Sequence, residues 1–436
     1  MVRACQVLKG VQRSSTAPKK TTKDTERTIT MPSQTLTLLL AGGQGSRLFP
    51  LTRDRAKPAV PFGGKYRVVD FTLSNCLHSG LRQILVLTQY KSQSLQRHLR
   101  DGWSIFSPEC GEFITMVPPQ MRTSDSWYEG TADALHQNLY LLERSPSQDA
   151  LILAADHIYR MDYAAMIQAH RENGADLTVA CMKVPLAEAS AFGVMGIDQD
   201  LKIVKFNEKP EHPEPMPDSP EEALVSMGIY VFSKQVLINA LVEDHDLDGS
   251  THDFGRDIIP RMIENGRVFA YAFGGQRGRV TSDHYWRDVG TIDAFYDANM
   301  DLLKPIPPLD LYQENWGIRT YHGQNPPARM VPGATGDQGV LVDSILGAGA
   351  LISGGYVKRS ILSSRVRVLD GASVEDSILF DQVTVGEGAI LKRCIIDKGV
   401  SVPPGMQIGV NLEMDRERYS VSDNGVIVVP RFHRFS

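Results

Sequence analysis

The chain has 436 residues, 51 acidic and 46 basic side chains, and a formal net charge of -5. That length exceeds one ordinary core and favours two or three domains, while the charge balance offers no basic footprint for nucleic acid. Hydrophobic residues at 42% and charged residues at 22% mark a soluble globular protein, and no apolar run approaches the roughly 18 residues that span a bilayer, so a membrane partner is not expected.

Residues 1–34 are rich in Lys, Arg, Ser and Thr and lack the apolar core of a secretory signal; Asp24 and Glu26 speak against an organelle-transit peptide. The sequence predicts a disordered extension there. From 35 to 304 the pattern alternates strand and helix. Apolar runs at Leu36–Ala41, Ile84–Thr88, Leu151–Ala154, Leu177–Cys181, Met227–Phe232 and Val268–Phe273 are too apolar for half-exposed strands. They predict a sheet covered on both faces. Tyr163, Met166, Ile167 and His170 share one helical face, and Asn173-Gly174 supplies a stop. Ala132, Leu135, Leu139 and Leu142 predict another helix. The fold class expected is α/β, a doubly wound domain.

Residues 305–334, rich in Pro, Asn and Gly, read as a linker. Beyond it the period changes. Val366, Ala372, Ile378, Thr384, Ile390, Ile396, Val402 and Ile408 stand six apart, with glycines at 371, 386, 388, 399 and 405 suited to corners. A hexapeptide repeat of this kind predicts a parallel β-helix over 335–436. The five cysteines (5, 76, 110, 181 and 394) are dispersed, with no pair at metal-ligand spacing. They read as reduced thiols of a cytoplasmic protein.

The first strand runs into Gly42-Gly43-Gln44-Gly45-Ser46-Arg47. Glycines after a strand let backbone N–H groups close on phosphate oxygens. The loop lacks both the Lys-Ser/Thr ending of a P-loop and the third glycine of a dinucleotide fingerprint. Arg47 lies inside it, and Lys57 follows in Arg55-Ala56-Lys57-Pro58. Pro58 predicts an extended backbone at Lys57. Two cations beside a glycine loop suit a nucleoside triphosphate whose leaving pyrophosphate gains charge. Asp156 follows the strand Leu151–Ala155, at the ligand crevice of an α/β sheet or as a cap for the next helix. Asp288 is a second acid, which could otherwise pair with Arg287.

From about Leu38 to Val428 the chain closely resembles bacterial ADP-glucose pyrophosphorylases. The matching segments are 40–48, 55–70, 73–76, 127–134, 156–159 and 285–291. The resemblance implies a left-handed β-helix, a homotetramer, small-molecule allosteric effectors and a role in glycogen biosynthesis. It implies ATP and glucose 1-phosphate as substrates and Mg²⁺ as cofactor, held by Asp156 and Asp288. Arg47, Lys57 and Asp156 become the catalytic set, with Gly42 and Gly43 beside the triphosphate. Tyr128, Gly193, Glu208, Lys209 and Ser226 match the sugar-phosphate contacts, and Asp253 a further acid of the sugar pocket. Read without the resemblance, Lys209 would be a solvated lysine and Ser226 a plain strand residue.

Three rivals remain at this stage: transfer to another sugar or from another base, a catalytically silent regulatory subunit, and an acyltransferase built on the hexapeptide helix. Retention of Arg47, Lys57, Asp156, Lys209 and Asp288 argues against the second. No histidine lies between Val366 and Ile408 to serve as an acyl-transfer base. Enteric relatives activated by fructose 1,6-bisphosphate carry a lysine where this chain has Asp54, and a histidine where it has Pro61. Arg55, Arg67 and Arg393 remain as candidates for an anionic effector.

Overall fold

The structure is a computed structural model and describes residues 34–120, 127–275, 277–279 and 284–435. The predicted extension lies outside these residues but for Gln34.

All six predicted strands form, several of them longer than their apolar runs. In chain order the main strands are β1 (Thr35–Ala41), β2 (Gln83–Thr88), β3 (Phe113–Val117), β4 (Asp149–Ala154), β5 (His157–Tyr159), β6 (Leu177–Pro185), β7 (Gly193–Ile197), β8 (Ile203–Glu208), β9 (Glu222–Ser233), β10 (Val268–Ala272) and β11 (Trp286–Asp288). β3, β2, β1 and β4 lie parallel in that order, and β9 joins β4 antiparallel. Alternation along β1 serves both faces. Leu36 and Leu38 enter one core, Leu39 and Ala41 the other. A strand buried on both sides needs a continuous apolar run, which is why these segments show no period of two.

The helix Tyr163–Glu172 buries the predicted face, and Gly174 ends it at φ +53°. The helix predicted across Ala132–Leu142 instead breaks into Thr131–His136 and Leu139–Arg144. Asn138 sits at the break, its amide donating to Ala134 O at 2.9 Å and Tyr128 Oη at 2.8 Å. An asparagine side chain that bonds backbone nearby competes with helix propagation.

The C-terminal part is a left-handed parallel β-helix, but its repeat is not six throughout. Arg367 pairs with Thr384 and Thr384 with Ser401, seventeen residues per turn. The inward stack is Ile352, Val357, Leu362, Val368, Val374, Leu379, Val385, Leu391, Ile396, Val402 and Ile408, all at 2% exposure or less. Its steps are of five or six residues, so of the strict series only Ile396, Val402 and Ile408 stand in the stack, and Thr384 and Ile390 fall half-buried beside it. Gly371, Gly388, Gly399 and Gly405 turn corners at positive φ, as expected. Gly386 does not; a Cβ there would stand 2.6 Å from Pro404 N, so close packing selects glycine. After Ile408 the chain forms the helix Leu412–Arg418 and returns as the strand Ile427–Val429, paired with Cys394–Ile396.

One face of the β-helix closes against the α/β domain. Ile361, Ile378, Phe380 and Ile395 share a core with Phe62, Phe295 and Tyr296, and Phe295 meets Phe380 edge-on at 6.3 Å. Residues 305–334 pack rather than hang free. Leu309, Trp316 and Thr320 are buried, and Trp316 Nε1 donates to Asn75 Oδ1 at 2.9 Å. Phe380→Ala should therefore cost about 3 kcal/mol by emptying a core shared between the two parts. Denaturant unfolding of parent and variant reads this; a change below about 1 kcal/mol would show that the shared core is not limiting.

Candidate active site

The carboxyl ends of β1, β2 and β4 form one rim, the usual place for ligands in an open α/β sheet. β1 delivers the glycine loop. A Cβ on Gly43 would have nothing within 4 Å of it, whereas one on Gly42 would stand 3.2 Å from Gln89 Cβ. Gly45 takes φ +63° and opens a short 3₁₀ turn, Ser46–Leu48, that carries the exposed Arg47. Arg47 reaches back toward Asp288: a Cβ on Gly290 would lie 3.2 Å from Arg47 Nη2 and 2.9 Å from Asp288 Oδ2.

Lys57 is the hub. Its Nζ donates to Asp156 Oδ2 at 2.8 Å and Asp288 Oδ1 at 2.9 Å. The backbone at Lys57 is not extended as Pro58 predicts. Lys57 opens the 3₁₀ turn Lys57–Ala59, and the extended residue is Ala56. Asp156 lies between β4 and β5, and Asp288 ends β11, whose pairing with β5 sets Asp288 opposite His157. The cap reading of Asp156 fails, because Asp162 caps the following helix by accepting from Ala164 N. Nor does Arg287 claim Asp288; it lies 4.0 Å from Asp301.

Burial alone would lower the Lys57 pKa, but the two carboxylates outweigh it and hold the ammonium above its ordinary value. Burial would likewise raise Asp156, and Lys57 with His157 instead holds that carboxyl well below the usual range. Asp156, His157 and Asp288 offer ligand atoms within 4.8 Å of one another. Lys57 Nζ already occupies a cation's place between the carboxylates, so this donor set fits a hard divalent ion. His157 was not singled out from sequence; its Nδ1 is buried with no hydrogen-bond partner among the described residues.

Of the predicted sugar-side residues, Gly193, Glu208 and Ser226 lie on β7, β8 and β9, and Lys209 directly follows β8. Glu208 pairs with Gly193 across the β7–β8 ladder. A Cβ on Gly193 would stand 2.8 Å from Glu208 Oε2 and one on Gly255 2.5 Å from it, so two glycines make room for this carboxylate. Gly255 is a position the sequence reading missed. Lys209 Nζ meets Glu208 Oε1 at 2.9 Å and stays about half exposed, with its backbone at φ +48°. Ser226 is buried beside Tyr230, its Oγ accepting from Gly228 N at 3.2 Å. Asp253 caps the turn Phe254–Ile258 through Gly255 N and Arg256 N, and accepts from Thr131 Oγ1 at 3.1 Å. Tyr128 is tied to the β2 end by Gln89 Nε2, which donates to its carbonyl at 3.1 Å.

The three candidate effector arginines do not form one site. Arg55 and Arg67 line a cavity of about 820 Å³ between the α/β domain and the β-helix. Arg393 does not line it. At φ +46° it turns toward the helix Ile292–Met300, lying 5.1 Å over the Tyr296 ring and donating to Asn424 O. Within the cavity Arg55 grips Asp397 at 2.9 Å, while its Nη1 is buried with no hydrogen-bond partner among the described residues. Asp54 lines the same cavity and pairs with Arg53 at 3.2 Å.

Loss of the hub cation should expose its role. Lys57→Met leaves two carboxylates facing each other, which should cost on the order of 1–2 kcal/mol after discounting for the water that reaches both. A divalent ion should restore more thermal stability to the variant than it adds to the parent. Equal shifts in parallel melting curves would show that Asp156 and Asp288 do not share an ion.

A model of the nucleotidyl transferase family matches residues 36–305, and one described as GlmU-like, C-terminal hexapeptide, matches 326–429. The chain is 61% identical over 402 residues to glucose-1-phosphate adenylyltransferase 2 of Vibrio cholerae, covering 92% of this chain and 99% of the relative. Identity to the Vibrio vulnificus protein of the same name is 64%, with the same coverage. Glucose-1-phosphate adenylyltransferase of Methylococcus capsulatus is 50% identical, over 91% of this chain and 93% of the relative.

Proposed function

The chain belongs to the glucose-1-phosphate adenylyltransferase family, and from that premise we propose that it makes ADP-glucose and pyrophosphate from ATP and α-D-glucose 1-phosphate. The observation that carries this reading is the meeting of the glycine loop, Arg47, Lys57 and two carboxylates on one rim of the sheet.

The reaction needs no base from the protein, because the sugar phosphate is already an anion near neutral pH. Its oxygen bonds to the α-phosphorus of ATP, the bond to the bridging oxygen breaks, and pyrophosphate leaves. Arg47 and Lys57 neutralise the charge that grows on the leaving group. Lys209, on its exposed stem beside Glu208, orients the attacking phosphate, and Glu208 takes sugar hydroxyls. Gly193 lets the backbone approach the sugar, with Tyr128 and Ser226 as further contacts and Asp253 as the acid that shapes the pocket wall. Asp156 and Asp288 would hold Mg²⁺, which would supply charge neutralisation for the phosphates. Catalysis on this scheme is positioning plus electrostatics.

The cavity lined by Arg55 and Arg67 is the effector site in this reading. Seven Lys and Arg side chains face three Asp there, so it suits an anion. Family membership supports a cytoplasmic homotetramer serving glycogen biosynthesis, and sedimentation velocity tests the assembly.

Forward assays with the four nucleoside triphosphates test the reaction; a preference for UTP or dTTP would overturn it. Lys209→Gln should weaken glucose 1-phosphate by tens to about a hundredfold while leaving ATP nearly untouched, the worth of one charge-assisted phosphate contact. Equal weakening of both substrates would remove Lys209 from the sugar-phosphate site. Asp54 sets a negative charge on the wall of the effector cavity, so fructose 1,6-bisphosphate should activate weakly and pyruvate better. Asp54→Lys should strengthen fructose 1,6-bisphosphate activation by about tenfold, since the change reverses the sign of a short-range charge interaction. Strong activation of the parent that is unchanged in the variant would exclude Asp54 from effector choice.

A further inference from the structure

Away from the catalytic rim, two helices of the α/β domain bring their carboxyl ends together. His136 is the last residue of Thr131–His136, and His245 the last of Lys234–His245. Their imidazole rings stack at 3.9 Å, 16° from parallel. Asp133, one turn before His136, is buried and accepts from Glu129 N and Gln137 Nε2, each at 2.9 Å. Both contacts fall on Oδ2, which anchors the carboxylate and leaves Oδ1 to other partners. The Nδ1 of His136 is buried and meets no hydrogen-bond partner among the described residues. Asp133, His136 and His245 each offer a ligand atom, and these atoms lie within 4.8 Å of one another.

The geometry points to a second metal site, formed by Asp133, His136 and His245, that takes a borderline transition ion such as Zn²⁺, Co²⁺ or Ni²⁺. Two imidazoles and one carboxylate form a softer donor set than the carboxylate pair Asp156 and Asp288, and imidazole selects these ions over Mg²⁺. Two protonated rings would repel at 3.9 Å, which favours the neutral imidazoles that a metal ion needs as ligands. The carbonyl end of the twelve-residue helix adds a field of the right sign. Donors on a tetrahedral ion with bonds of about 2.1 Å stand about 3.4 Å apart. Reaching that geometry asks that His245, which is exposed, turn out of the stack so that both ring planes meet at the ion.

The ion would clamp Thr131–His136 onto the end of Lys234–His245. That segment opens with Thr131, the donor to Asp253, and Ala132 N donates to His252 O at 2.7 Å. The clamp would thus fix one wall of the pocket assigned to the sugar, without touching the reacting atoms.

The test is Co²⁺ and Zn²⁺ titration of the full chain in excess Mg²⁺, read by calorimetry and by the visible absorption of bound Co²⁺. We expect one site per chain. His136→Ala and His245→Ala should each weaken it by at least about tenfold, the smallest loss that even an outer partner of a ligand gives. Asp156→Asn with Asp288→Asn should leave it intact. Because His245 is exposed, its variants should fold normally, and circular dichroism of each variant checks this. A site that survives His245→Ala, a site lost with Asp156→Asn and Asp288→Asn, or no Zn²⁺ uptake in excess Mg²⁺ would each overturn the proposal.

Discussion

Lys57 is a buried cation clamped between two carboxylates that the chain supplies about a hundred and more than two hundred residues later. A lysine this enclosed would be costly without them, and the carboxylates would repel each other without it. Each partner therefore requires the other two. That mutual need fixes the turn Lys57–Ala59, the junction after β4 and the end of β11 in one place. The rim of the sheet acquires its chemistry from this closure, since Arg47 and the glycine loop are placed by what they pack on.

The same short segment also joins the two parts of the molecule. Arg55, two residues before Lys57, enters the β-helix and holds Asp397. Ala59, two residues after it, gives its carbonyl to Arg67 Nη1 at 3.3 Å. Any rearrangement of the cavity that moves Arg55 or Arg67 is thus separated from the hub by one turn of stiff, proline-bearing chain. Two sites that share a rigid element can bias one another without a long relay.

Much of this was legible in the sequence, for definite reasons. Strands buried on both faces must be continuously apolar, so β1, β2, β4, β6, β9 and β10 declared themselves. Asp156 stands at the end of a strand signal, whereas Asp288 is singled out only by the long matching motif that holds it. What escaped depended on contacts between distant residues. Nothing local to Asn138 says that its amide will break a helix, and a seventeen-residue turn resembles a strict six-residue repeat although the two coincide only from Ile396 onward. Arg393 looked like a companion of Arg55 and Arg67 because sequence gives residue type and order, not the direction a corner residue at positive φ will face. Gly255 and His157 acquire meaning only beside Glu208 and Asp156.

The way the β-helix ends bears on how the molecule behaves in a crowded solution. A stack of parallel strands finishes in open edges that invite another chain to pair. Here Ser401–Val402 and Gln407–Ile408 are the last members of their sheets, and each is only two residues long. The third sheet continues instead into Ile427–Val429 and the antiparallel Ser420–Val421. Between them the helix Leu412–Arg418 is anchored by Asp415, which accepts from Gly409 N at 2.8 Å, directly beyond the final rung. Short edges, an antiparallel terminator and a charged helix leave little template for end-to-end growth, so a fold built by repetition stops at a defined length.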